Sequence, residues 1–126
     1  MNALKILVYL AVFSFASASP MAYAENNAEV KAAIDQTVAK LEQAVAALEK
    51  GEDTKAVVDM VLEAKQLQKS IATSDGKVSI KKSQSNHKLG QARTSLNEGD
   101  LKKGGGLVRE ALAGYKEVKE KYNATH

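Results

Sequence analysis

The chain has 126 residues, with 18 basic and 15 acidic side chains, a formal net charge of +3, one proline, two histidines and neither cysteine nor tryptophan. The lack of cysteine excludes disulfides, thiolate metal sites and haem attached through a Cys-x-x-Cys-His motif. The near balance of charge argues neither for a nucleic-acid binder nor for a protein held to an anionic membrane surface.

The first element reads as an export signal. Lys5 is the only charge before Glu25, and Ile6 to Ala18 contains nothing more polar than Ser or Tyr. That run of 13 residues is too short to span the membrane as a permanent helix, which needs about 20. Pro20 breaks the helix, and Ala22-Tyr23-Ala24 sets small residues where signal peptidase cuts. The expectation is a cleavable signal peptide over residues 1–24 and a mature domain over 25–126. The domain is then periplasmic or secreted, with no stable membrane insertion after cleavage. An uncleaved anchor is the competing reading, which the Ala-x-Ala pattern disfavours, and no cysteine follows the cut to carry a lipid.

Without the signal, 102 residues remain, their only aromatics are Tyr115 and Tyr122, and the net charge is +2. A core of Leu, Val, Ile and Ala is left, enough for one domain of modest stability.

Helical periodicity dominates this domain. Ile34, Val38, Leu41, Val45 and Leu48 form one apolar stripe, and Gly51 ends the helix that carries it. Asp53 or Thr54 can cap the second helix by accepting from an orphan N–H of its first turn. Its stripe is Val57, Met60, Ala64, Leu67 and Ile71. Ser74-Asp75-Gly76 predicts a middle turn, in which Asp75 bonds back to the backbone and Gly76 tolerates a positive φ. A third helix is expected to start near Val78 to Lys82, with the thin stripe Ser85, Leu89, Ala92 and Leu96, and so to be the least well packed. Gly99 and Asp100 repeat the turn chemistry of Gly51 and Glu52. The fourth helix carries Leu101, Gly104, Val108, Ala111, Tyr115, Val118 and Tyr122.

The chain also matches itself. Lys40-Leu41-Glu42-Gln43-Ala44 resembles Lys88-Leu89-Gly90-Gln91-Ala92, and Leu48-Glu49-Lys50-Gly51 resembles Leu96-Asn97-Glu98-Gly99, both at an offset of 48. After one residue is lost in the turn, Val61-Leu62-Glu63-Ala64 matches Val108-Arg109-Glu110-Ala111. The fold predicted is all-α, a four-helix up-down bundle made of two repeated helical hairpins. A tetratricopeptide array has a shorter period and marker aromatics that are missing here.

Chemistry is sparse along the chain. His87 lies off the core stripe of its helix, and the other histidine, His126, is the final residue. Asp35, Glu42 and Glu49 recur every seven residues, and Asp59 and Glu63 share a face. These carboxylates fit a weak hard-cation site, or a solvated face on which Lys31 pairs with Asp35 and Lys65 and Lys69 follow Glu63. Gly104-Gly105-Gly106 lacks the preceding strand and following Lys-Ser or Lys-Thr of a phosphate loop, and instead fits a close helix approach or a loosened first turn. Asn123-Ala124-Thr125 matches the glycosylation pattern, which is short enough to arise by chance. No nucleophile with its base, acid pair or cofactor fingerprint is present, so the chain is read as a non-enzyme.

Taken together, Ala44-Val45, the turn Glu49 to Glu52, Val61 to Ala64 and the run Leu89 to Asp100 resemble the small metal-binding protein family over nearly the whole mature chain. The resemblance implies an exported four-helix bundle that holds copper, nickel or zinc through recurring histidines. Most of those histidines are missing: Glu52 and Asp100 stand where the pattern has histidine, and Lys88 and Ser95 do not supply it either. The candidates for a metal site are therefore His87, Glu52 and Asp100, carboxylate suiting harder ions than imidazole does. Asn97 to Lys103, with Tyr115 to Tyr122, is also similar to the last hairpin of the four-helix b-type cytochromes. That family's axial histidine and methionine have no counterpart, since Lys119 occupies one neighbourhood and Met60 lies in the second helix, so no haem is expected. The function expected is an exported bundle of the small metal-binding type with a weak or degenerate divalent site. The alternative is a protein-interaction or chaperone-like envelope module with its third helix and glycine run as the mobile part.

Overall fold

The computed structural model describes residues 26–126, so the expected signal and its cleavage point lie outside the described residues. Four helices and no strand are found among the described residues: α1 (Asn27–Glu49), α2 (Thr54–Leu67), α3 (Gly76–Asn97) and α4 (Leu101–Thr125), with a short 3-10 turn at Gln68–Ser70. They form an all-α bundle in which α1 packs on α2, α2 on α3, α3 on α4 and α4 back on α1. No helix among the described residues is long and apolar enough to cross a membrane.

Each helix starts at a short polar side chain that satisfies orphan N–H groups. The Asn26 carbonyl oxygen accepts from Glu29 N, Asp53 from Lys55 N, Asp75 from Lys77 N and Val78 N, and Asp100 from Lys103 N. Asp100 and Asp53 therefore act as the caps that their side chains suit. α1 and α3 end alike. Gly51 and Gly99 adopt φ of 71° and 85°, a left-handed conformation that glycine takes without the Cβ clash of other residues. Around them Gly51 N bonds Leu48 O and Glu52 N bonds Ala47 O, while Gly99 N bonds Leu96 O and Asp100 N bonds Ser95 O. Both turns are Schellman motifs. They differ in length, because Glu52 and Asp53 divide between them what Asp100 does alone: closing one helix and capping the next.

The middle link departs from the sequence expectation. Gly76 is the first residue of α3 and does not have a positive φ. Asp75 caps α3 there, so the helix begins before the expected Val78 to Lys82. Ile71 is buried but lies beyond the end of α2, with its N–H bonded to Gln68 O.

The core also shifts within two stripes. In α1, Ala44 and Ala47 are buried while Val45 and Leu48 are half-buried; in α2, Val61 is buried while Met60 and Leu67 are half-buried. Small residues occupy the line of closest approach, and the larger neighbours flank it. In α3 the four expected positions are all buried, together with Val78 and Ser95. α4 buries every expected position except Leu101, which is 50% exposed, and adds Gly105 and Gly114.

Candidate functional site

The three candidate metal ligands are not brought together. His87 is exposed midway along α3, where its Nε2 meets the side-chain nitrogen of Gln91 at 3.3 Å. Glu52 and Asp100 are exposed in the two turns at the opposite end of α3 from its start. The 10 residues from His87 to Asn97 correspond to about 15 Å of helix rise, too far for a shared ion. Among the described residues no group of three His, Cys, Asp or Glu side chains is arranged to hold a metal ion.

Three of the five edge carboxylates found in the sequence are engaged across helices. Asp35 pairs with Lys119 at 3.1 Å and Glu42 with Lys116 at 3.8 Å, both joining α1 to α4. Lys31, expected to pair with Asp35 along its own helix, instead donates to His126 O. Glu63 pairs across the first hairpin with Lys40 at 3.1 Å. In the second hairpin Lys81 meets Glu117 and Lys88 meets Glu110.

The glycine run resolves into three different environments. A Cβ on Gly104 would stand 2.7 Å from the Leu96 side chain and 3.2 Å from its backbone N. Gly104 is thus where α4 closes onto α3. On Gly105 the nearest atom would be the flexible tip of Arg109, and on Gly106 a Cβ would meet nothing within 4 Å. Gly106 opens onto a shallow groove of about 500 Å³ lined by Asp100, Lys102, Lys103, Gly106, Leu107 and Glu110. A further close approach, not expected from the sequence, joins Gly114 to Ser85, whose hydroxyl a Cβ there would strike. With these contacts α3 is closely packed along α4, contrary to the expectation for that face.

Buried polar groups are the feature the sequence reading missed. Thr37 donates to Ala33 O and Ser85 to Lys81 O, each satisfied within its helix. Gln68 donates through Nε2 to Lys65 O, but its Oε1 has no partner, and the same holds for Asn86 Oδ1 and Tyr115 Oη. Burial raises the Tyr115 phenol well above the ordinary tyrosine range. Lys82, half-buried, has its ammonium pKa lowered by desolvation and donates to Ile71 O at 2.9 Å. A signal for this cluster was available: Lys82 and Asn86 stand 48 positions after Ile34 and Val38. The same row of the paired helix thus changes from apolar to polar.

No family model, no curated protein and no solved structure matches this chain.

Proposed function

We propose that the chain is an exported, non-enzymatic helical bundle of the small metal-binding type, built by duplication of one hairpin, that takes a divalent ion only weakly through surface carboxylates. Export rests on the N-terminal signal pattern. Duplication is supported by the offset matches and by the two Schellman turns, whose hydrogen bonds fall at equivalent positions. The non-enzymatic reading rests on the absence of cysteine and the presence of only two histidines.

The observation that carries weak binding is the engagement of the acidic side chains. Asp53, Asp75 and Asp100 accept from helix N-termini, and Asp35, Glu42, Glu63, Glu110 and Glu117 face lysines. At these eight carboxylates an arriving ion must displace a cap or an ion pair. We therefore expect affinities of about 10⁻⁴ to 10⁻³ M, the range of weak oxygen-ligand sites. Calorimetry of the mature chain with copper, nickel and zinc measures this. No heat above buffer for any of the three sinks metal binding, and micromolar affinity contradicts a degenerate site.

A second reading, an interaction module, draws on Ile80 and Leu101, large apolar side chains 62% and 50% exposed. It predicts that Gly105→Ala raises thermal stability and weakens capture of a partner. A pull-down from envelope extract that returns nothing specific rejects it.

A further inference from the structure

The bundle has two lateral seams between its hairpins, and they differ in chemistry. On α3 the row Lys82, Asn86 and Gly90, spaced one turn apart, faces α2. Lys82 Nζ reaches Ile71 O at 2.9 Å just beyond α2, and a Cβ on Gly90 would stand 3.5 Å from Lys65 Nζ. Asn86 lies between these two contacts, and its Oδ1 is buried without a partner. Gln68, in the 3-10 turn just past α2, carries a second unpartnered buried oxygen. The opposite flank of α3, with Lys81, Ser85 and Lys88, is turned to α4.

The α1/α4 seam is built the other way. The corresponding row of α1 is Ile34 and Val38, both buried, followed by Glu42, which pairs with Lys116. Asp35 pairs with Lys119, and Tyr122 Oη donates to Asn27 Oδ1 at 2.7 Å, so these polar groups have partners across the seam. Opening the α1/α4 seam would expose apolar surface and break these contacts. Parting α2 from α3 returns water to the stranded amide oxygen of Asn86, penalised only while the seam is shut.

We propose that the α2/α3 seam is the line along which the bundle opens, the two hairpins swinging apart about the apolar α1/α4 side. Such an opening is a partial one, reached without global unfolding. It exposes the inner faces of α2 and α3 while both hairpins stay intact.

The chain contains no cysteine, so single thiols report the opening without background. Val61 on α2 is fully buried, whereas Val38 on α1 is 8% exposed. Static burial therefore predicts that Val38→Cys reacts first with a small thiol reagent under native conditions. Opening at the α2/α3 seam predicts the reverse, Val61→Cys reacting about tenfold faster or more. Adding Asn86→Val removes the stranded oxygen and should slow the thiol at position 61 by about tenfold, given the usual penalty for an unsatisfied buried group, while leaving that at 38 unchanged. Asn86→Leu serves if the valine disturbs folding, which circular dichroism reads. Equal labelling at the two positions, faster labelling at 38, or no slowing in the apolar variants overturns the proposal.

Discussion

Gly106 and Gly114 lie about two turns apart on α4, yet alanine should act on them in opposite directions. At Gly106 the new methyl meets nothing within 4 Å, and the helix gains about 0.5–1 kcal/mol from lost backbone freedom in the unfolded chain. At Gly114 the methyl strikes the Ser85 hydroxyl and stands 3.1 Å from its Cβ. Overpacking of that kind costs about 1–3 kcal/mol and outweighs the propensity gain. Urea denaturation followed by circular dichroism should show Gly106→Ala stabilised and Gly114→Ala destabilised. Equal shifts would mean that α3 and α4 are not closely apposed at Ser85. Tyr115 provides a second residue-scale test. Its buried phenol has a folded-state pKa raised by desolvation, so above the unfolded tyrosine value of about 10 the unfolded chain loses a proton that the folded chain keeps. The contribution of Tyr115 is complete below that pH and is lost as pH rises toward the folded value. Melting temperatures of the wild type and Tyr115→Phe, compared from pH 8 to 11, should draw apart at the alkaline end, with the variant the less sensitive. The variant should equal or exceed the wild type at neutral pH, since its lost hydroxyl has no partner.

At the scale of elements, the caps and turns separate structure from metal binding. Asp100 both completes the Schellman turn through its N–H and caps α4 through its side chain. Asp100→Ala should therefore cost about 1 kcal/mol, more than Glu52→Ala, whose side chain caps nothing. Asp100→Asn keeps a capping oxygen while removing the charge, so it should leave the melting temperature nearly unchanged and weaken any divalent ion bound at that turn. Loss of stability in Asp100→Asn equal to that in the alanine variant would show that charge, not the hydrogen bond, holds the helix start. The helices differ in how openly the sequence announced them. α4 was legible almost to the residue because its large apolar side chains fall on a single stripe. In α1 the same reasoning chose Val45 and Leu48 over Ala44 and Ala47, because hydrophobicity favours the bigger side chain and helix approach favours the smaller. The start of α3 was misplaced for a related reason: Gly76 reads as a turn residue, yet Asp75 caps immediately before it and leaves it no such task. The stranded oxygen of Asn86 is foreshadowed only by setting α3 against α1, where Val38 holds the matching position.

For the whole molecule the question is whether each hairpin is a unit. The α3/α4 pair has its own close contacts at Gly104 and Gly114 and its own ion pairs. Those ion pairs are half-exposed and worth little. The buried side chains of the pair, among them Leu89, Ala92, Val108 and Ala111, belong to one hydrophobic cluster shared with Ile34, Leu41, Val57 and Val61 of the first hairpin. Removing the first hairpin would put one side of that cluster into water, and two helices of 22 and 25 residues bury too little on their own to offset the entropy of ordering them. A peptide spanning residues 76–126 should accordingly show little of the helical dichroism that these residues have in the intact chain. The intact domain should lose its helical signal in one transition whose midpoint does not depend on the wavelength followed. A folded 76–126 peptide would make the hairpin an independent domain. Two separated transitions in the intact chain would mean that the shared cluster contributes less than the contacts inside each pair. Either result would relocate the stability of the bundle from the layer between the hairpins to the seams within them.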